Sequence, residues 1–390
     1  MSTLTTPAAR VTLVMSCLFG TTGIILVFLP RWLEVERALS GAEIGAVLSL
    51  AQFARVLTGP AIAFWADGAG DRRTPLRLVA GGAVLSFGVF FFFAHGFWAL
   101  LLTGFVALSL TQALTPLIEA ALLRATAAGN LSYGVARGIG SVAFIVANIA
   151  GGAMVAQFGI GAVVVWVLIS LSSVAASSIF ALTPDPPPIA APGKDRLAAL
   201  AALMRSRRFI LVLISCGLIQ SAHAFYYAFS TIAWRAQGIS ADVIGFLWAF
   251  GVAVEVALLW SLTAIERRVS AETLIIAAAI GAVVRWLAMG FAPEGAVLWF
   301  LQSLHALSFA AAHVGAMRLI YRETPDNAAA MAQTLYSSLS SGLLLGAATL
   351  LSGWLYDWGG VRGYWAMALI AGLGGVAALF LLAPKPARSR

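Results

Sequence analysis

The chain has 390 residues, of which 61% are hydrophobic and 10% charged, with a net charge of +8. Soluble domains carry about 25% charged residues, so a water-soluble globular enzyme is excluded and the solvent of the core is lipid. The basic excess falls at the ends of apolar runs, where it reads as membrane topology and not as a nucleic-acid surface.

A membrane span needs about 20 predominantly apolar residues. Twelve runs qualify, at 11–35, 43–66, 75–94, 98–122, 134–157, 160–182, 209–235, 242–265, 273–291, 296–319, 330–356 and 363–383. Their apolar residues are continuous and not alternating, so the spans are helices and the fold class is an all-α membrane protein. The N-terminus lacks a basic stretch followed by a small-residue cleavage site, and the first span is read as uncleaved. Residues 183–208 contain five prolines and end in MRSRR, which breaks any continuous helix. They divide the chain into an N-terminal six-helix bundle, 1–182, a cytoplasmic linker, 183–208, and a C-terminal six-helix bundle, 209–390.

Arg10, Arg72, Arg73, Arg77, Arg124, Lys194, Arg208, Arg322 and Lys385 lie on one side of these spans, and little beyond Arg37, Arg235 and Arg362 on the other. Both termini are therefore expected in the cytoplasm of a bacterial-type inner membrane. Cys17 and Cys216 fall inside predicted spans, so neither a structural disulfide nor a metal site is expected.

The halves read as a repeat. SGAEIG at Ser40–Gly45 matches SADVIG at Ser240–Gly245, offset by 200, and the same offset relates Arg55 to Glu255 and Gly81–Val84 to Gly281–Val284. Ser40 with Glu43 forms a capping-box pattern. Gly41 with Gly45 and Gly134 with Gly138 follow the small-xxx-small spacing of close helix contacts. Trp32, Trp98, Trp299 and Trp358 sit at span ends and read as interface anchors.

Four charges lie deep in spans: Arg55, Glu119, Glu255 and Arg285. Each costs about 2.5–3.5 kcal/mol at the bilayer centre on insertion scales, so such groups face a bundle interior, where they pair or line a polar path. A membrane chain with several of them is expected to move a solute, and two glutamates add a proton.

Between the second and third spans, GPAIAFWADGAGDRR at Gly59–Arg73 is similar to the G-x-L-x-D-x-x-G-R-R loop of the major facilitator superfamily. Asp67, Gly70, Arg72 and Arg73 match it, while Ala63 stands where glycine is usual. The resemblance implies a conformational lock at cytoplasmic helix ends; positive-inside anchoring is the plainer reading of the two arginines. More specifically, QSAHAFYYAFSTIAW at Gln220–Trp234 and GFLWAFGVAVE at Gly245–Glu255 resemble the 3-phenylpropionate permease group, relatives of lactose permease and nucleoside symporters. PLIEAA at Pro116–Ala121, YGVARGIGSVAF at Tyr133–Phe144, VVRW at Val283–Trp286 and LHALSFAAAHVGAMR at Leu304–Arg318 extend the likeness. The group usually has aspartate where this chain has Glu119.

The resemblance implies twelve transmembrane helices in two pseudo-symmetric six-helix bundles. It implies a monomeric symporter driven by the proton gradient, without a cofactor, importing a small aromatic carboxylate. Glu119 and Arg137 resemble the sugar-binding pair of lactose permease; here Arg137 suits a carboxylate through its bidentate fork, with Phe144 further along the span placed to stack on a ring. A purely structural pair is the alternative. Arg55 is a second anion receptor or a partner of Glu119. Tyr227 and Trp248, with Phe225, Tyr226 and Trp286, suggest an aromatic wall for the ring, with His223 among them. Glu255 and Arg285 resemble the proton-coupling pair of lactose permease. Burial favours a neutral carboxyl and a nearby guanidinium a charged one, so an arginine that moves switches Glu255; Glu119 is the other candidate carrier. His305 is a candidate relay and His313 a weaker one. The acidic residue that lactose permease carries on its tenth span is missing here before Glu323. A sugar or nucleoside symporter and a drug efflux carrier share this fold and remain alternatives.

Overall fold

The computed structural model describes residues 6–127, 131–184, 203–265, 268–324 and 329–383, and every regular element among them is helical. In chain order these are α1 (Pro7–Arg37), α2 (Gly41–Gly68), α3 (Arg73–Phe92), α4 (Gly96–Ala127), α5 (Tyr133–Phe158), α6 (Ala162–Phe180), α7 (Arg207–Ser221), α8 (Ala224–Ala236), α9 (Ala241–Ile265), α10 (Ala271–Met289), α11 (Gly295–His305), α12 (Ala312–Glu323), α13 (Ala329–Ser337), α14 (Leu345–Gly359) and α15 (Gly363–Leu379). Serine hydroxyls cap α2, α5, α7 and α10 by accepting from the third helical amide, and the expected box between Ser40 and Glu43 is formed in full. Pro30, Pro60 and Pro116 lie inside helices, as membrane helices allow.

Among the described residues, eleven helical runs are long and apolar enough to cross a membrane. The last, Met331–Leu382, has 52 residues, about 78 Å of helix at 1.5 Å per residue. It turns at Gly360–Arg362 and supplies two crossings, which gives the twelve expected. Three spans are less regular than their apolar runs suggest. The seventh breaks at Ala222 and His223, between α7 and α8. The tenth and eleventh each contain a π-helical stretch, Ala306–Ala311 and Ser338–Leu344. Wider turns of this kind recur at functional positions, and the Phe309 carbonyl accepts from Gln220 Nε2 at 3.2 Å. Of the expected linker, 185–202 lie outside the described residues, as do 1–5 and 384–390 at the termini.

The first of two compact units comprises Met1–Ala190, Tyr227–Val252 and Thr349–Trp358. In it α1 packs on α4, α5 and α6, α2 on α4, and α3 on α4 and α6. Glycines permit its closest approaches. A Cβ at Gly45 would stand 3.1 Å from Gly353 Cα, and one at Gly152 would stand 2.6 Å from the Ala241 carbonyl and 3.1 Å from Gly245 Cα. The repeated segments Ser40–Gly45 and Ser240–Gly245 thus each meet a glycine. Asp357 completes the first contact: its two carboxylate oxygens accept from the Gly41 and Ala42 amides at 2.7 Å each. Gly134 and Gly138 depart from expectation, since a Cβ at either meets open space. Trp32 departs too: it is buried against Phe90 and Phe91 with Arg37 over its ring, and so is not an interface anchor. Trp98 and Trp358 are strongly exposed, as anchors are.

The second unit comprises Ala191–Tyr226, Ala253–Ala348 and Gly359–Arg390. Here α10 packs on α15 and α12, and α7 packs on α15, α12 and the second π stretch. At one end Arg208 pairs with Glu272 at 2.7 Å and Glu323 at 3.0 Å, and Arg322 joins the same two carboxylates. These four charges tie the ends of α7, α10 and α12 together.

Candidate functional site

In the first unit the hairpin of α4 and α5 brings Glu119 and Arg137 level, with Arg137 Nε 3.4 Å from Glu119 Oε1. Both side chains are about one-third exposed, so the pair is open to solvent or ligand. The Arg137 guanidinium lies 4.4 Å over the ring of Phe19 on α1, which holds its plane by cation–π contact. Arg55, half-buried on α2, is within electrostatic reach of Glu119. Tyr133 lies beside both Glu119 and Arg137. Gln52, one turn before Arg55, and Gln112, two turns before Glu119, bury side-chain carbonyl oxygens that have no hydrogen-bond partner. Phe19, Tyr133, Gln52 and Gln112 escaped sequence reasoning because uncharged residues in apolar spans carry no distinctive signal.

Phe144 is buried on α5, and the ring against Arg137 is that of Phe19. Tyr227 and Trp248 meet, with ring centroids 6.1 Å apart. The other three aromatics of the expected wall belong to the second unit, where Phe225, Tyr226 and Trp286 are fully buried in its core. A cavity of about 330 Å³ lies at the ends of α1 to α4, lined by Arg72, Arg73, Arg124, Ala120, Ala121 and Leu182 among others. Arg73 pairs there with Asp71 and donates to the Leu182 carbonyl at 3.1 Å. The acid seen beside Arg73 is Asp71; the side chain of Asp67 lies outside the described residues. Gly70 is exposed with open space about it.

The second unit gathers Arg285, His305, Glu255 and His223. Arg285 is fully buried, its guanidinium 4.6 Å from the Tyr226 ring and 4.5 Å from the Trp286 ring. Its Nη1 donates to His305 Nδ1 at 2.9 Å, and its Nη2 to Gln302 Oε1 at 3.0 Å. A guanidinium only donates, so His305 Nδ1 carries the lone pair and the ring proton sits on Nε2. That nitrogen stands 3.5 Å from Glu255 Oε2. His223 is held in the opposite tautomer: its Nδ1 faces the Ile219 and Gln220 carbonyls, and its Nε2 accepts from Ser308 Oγ at 3.2 Å. His223, expected with the substrate groups, is therefore placed with His305. His313 is exposed. Gln302 and Ser308 complete the cluster together with Tyr226; the only sequence signal of Gln302 and Ser308 is polarity at one-turn spacing from His305. Among the described residues, no group of three or more His, Cys, Asp or Glu is arranged to hold a metal ion.

Comparison with known proteins gives the fold and family. The chain is similar in structure to the nucleoside transporter NupG, with a TM-score of 0.80 at 16% identity over 96% of this chain and 98% of that one. It is similar to a bacterial homologue of the lysosomal transporter Spinster, with a TM-score of 0.75 at 14% identity, covering 96% of each chain. In sequence it is 31% identical over 358 residues to the "Probable 3-phenylpropionic acid transporter" of Escherichia coli (strain K12), covering 90% of this chain and 92% of that one. It is 26% identical over 373 residues to the "Maltose permease" of Geobacillus stearothermophilus, covering 94% and 92%. Residues 10–367 match the family described as "MFS_1 like family". The chain belongs to that family: it is a multi-pass membrane transporter of the major facilitator type and not an enzyme.

Proposed function

We propose that the protein is a proton-coupled symporter that imports a small aromatic carboxylate such as 3-phenylpropionate. The observation that carries this reading is the charge count of the first unit's site. Two guanidinium groups, Arg55 and Arg137, share one carboxylate, Glu119, which leaves one positive charge for a monocarboxylate to balance. Arg137 and Arg55 hold the anion, Phe19, Tyr227 and Trp248 offer aromatic surface to the ring, and Glu255 beside His305 carries the proton. Coupling follows if the substrate binds only when the part-buried carboxyl of Glu255 is protonated and if the protonated carrier does not reorient without substrate. The likeness to the "Probable 3-phenylpropionic acid transporter" supports the substrate class. The two halves, 1–182 and 209–390, act as bundles of an alternating-access carrier, with both termini in the cytoplasm of a bacterial inner membrane and the monomer as the working unit.

Uptake of labelled 3-phenylpropionate into proteoliposomes with an alkaline interior tests this. Uptake should collapse when the proton gradient is dissipated and in Arg137→Gln. A carrier that ignores aryl acids but concentrates a nucleoside or a sugar under the same gradient would replace the reading. That second reading draws on the NupG and maltose permease likenesses and would use Glu119 as a hydroxyl acceptor. Expulsion of dyes from everted vesicles would point instead to a drug efflux carrier.

A further inference from the structure

We infer that Gln302 is a positioning residue for proton coupling: its amide carbonyl holds Arg285 where that guanidinium keeps His305 in the tautomer that presents an N–H to Glu255. The inference rests on the reading of Glu255 as the proton carrier. Gln302 lies one turn before His305 on α11 and is fully buried. Its Oε1 accepts two hydrogen bonds, from Arg285 Nη2 and from the Tyr226 hydroxyl, each at 3.0 Å. A glutamine amide can present either end, and two converging donors select the carbonyl. Its Nε2 is then left buried without a hydrogen-bond partner, an arrangement that asks for an explanation. The carbonyl's hold on Arg285 supplies it.

The rings of Tyr226 and Trp286 both lie against the guanidinium, and cation–π attraction acts on its charge without selecting which N–H meets which acceptor. Hydrogen bonds make that selection. With Nη2 tied to Gln302, Nη1 points at His305 Nδ1 and, at 3.4 Å, at Ser308 Oγ. The Nε2–H of His305 then faces Glu255 and favours its carboxylate form. Released from Arg285, the ring is free to take its Nδ1–H tautomer and turn a lone pair to Glu255, which favours the protonated carboxyl. The other titratable groups around this centre are His223 between α7 and α8, Tyr226 on α8 and Tyr364 on α15, which stacks on Trp286. Cys216 on α7 interacts with Tyr336.

The test is ¹⁵N NMR of histidine-labelled full-length protein in nanodiscs, with a His305→Asn variant to assign the signal. Uptake of 3-phenylpropionate as a function of external pH is measured alongside. Wild type should show His305 as the single Nε2–H tautomer. Gln302→Met, which keeps the length but not the acceptor, should mix the tautomers and shift the uptake profile to higher pH by about one unit, a tenfold change in proton affinity. Gln302→Glu, which keeps an oxygen acceptor, should restore the single tautomer. Should Gln302→Met fail to fold, Gln302→Asn, which withdraws the carbonyl by one methylene, is read in the same way. A His305 tautomer unchanged by loss of the Gln302 acceptor overturns the inference whatever uptake does. A tautomer that responds while wild-type uptake ignores the proton gradient refutes Glu255 as carrier, and with it the coupling role of Gln302.

Discussion

Neutralising the two partners of the Glu119–Arg137 pair should move anion affinity in opposite directions. The site holds two guanidinium groups and one carboxylate, so Arg137→Gln takes its formal charge from +1 to zero and Glu119→Gln takes it to +2. The structural cost of either change is small. At the 3.4 Å separation of Arg137 and Glu119, Coulomb's law gives about 5 kcal/mol at an effective dielectric of 20 and about 1 kcal/mol in water. Both side chains are about one-third exposed, and measured net values for solvent-screened pairs are about 0.2–1 kcal/mol. The fold should therefore survive both substitutions. A charge-assisted bond from Arg137 to a carboxylate contributes about 1.5–3 kcal/mol, so Arg137→Gln should weaken 3-phenylpropionate binding by roughly 10- to 150-fold. Glu119→Gln removes a like charge and frees Arg137 for the ligand, and should tighten binding several-fold. Equilibrium dialysis of the purified carrier with labelled 3-phenylpropionate reads both, and the thermal unfolding midpoint serves as the folding control. If Glu119→Gln weakens binding as much as Arg137→Gln does, the charge argument fails. Glu119 is then a hydrogen-bond acceptor for substrate, as a sugar or nucleoside carrier requires.

Glu255→Gln should abolish gradient-driven accumulation while substrate exchange between equal pools continues, because exchange needs no net proton movement; loss of both activities would place Glu255 in binding or folding. Asp357→Asn withdraws a charge and one acceptor from the two amides at the start of α2. It should lower stability by about 1–2 kcal/mol, the range for caps and helix-terminal anions, and an unchanged unfolding midpoint would contradict this. Gly245→Ala would place a methyl 2.2 Å from the Asn148 carbonyl and should force the local helices apart with a clear drop in the melting midpoint. Gly138→Ala, whose Cβ meets open space, should be neutral or slightly stabilising in the same assay.

What the sequence made legible and what it hid follow one physical rule. Charges in lipid are expensive, so Arg55, Glu119, Glu255 and Arg285 stand out in apolar spans, and the Glu119–Arg137 pair was readable from its resemblance to the sugar-binding pair of lactose permease. Local capping was equally readable, because Ser40 and Glu43 act within one turn. Groups that hold the charges in place were not. Gln302, Ser308 and Phe19 contribute one neutral dipole or one ring each, which costs little in a span. Asp357 caps a helix 316 positions away. Glycine spacing alone did not separate Gly45, pressed on Gly353, from Gly138, which faces open space. The aromatic run after Gln220 looked like one wall, yet the Tyr226 ring meets Arg285 and Trp286 while the Tyr227 ring meets Trp248, and neighbours on a helix point about 100° apart. The tenth span hid its register because a π-helical stretch follows His305 and offsets any 3.6-residue projection. Gln302, His305 and Ser308 follow one another at three-residue steps, a spacing that many residues of the span share. The structure joins all three to Arg285. The chemistry of the proton site thus depends on neutral acceptors around a visible cation, and those acceptors set which ring nitrogen faces Glu255.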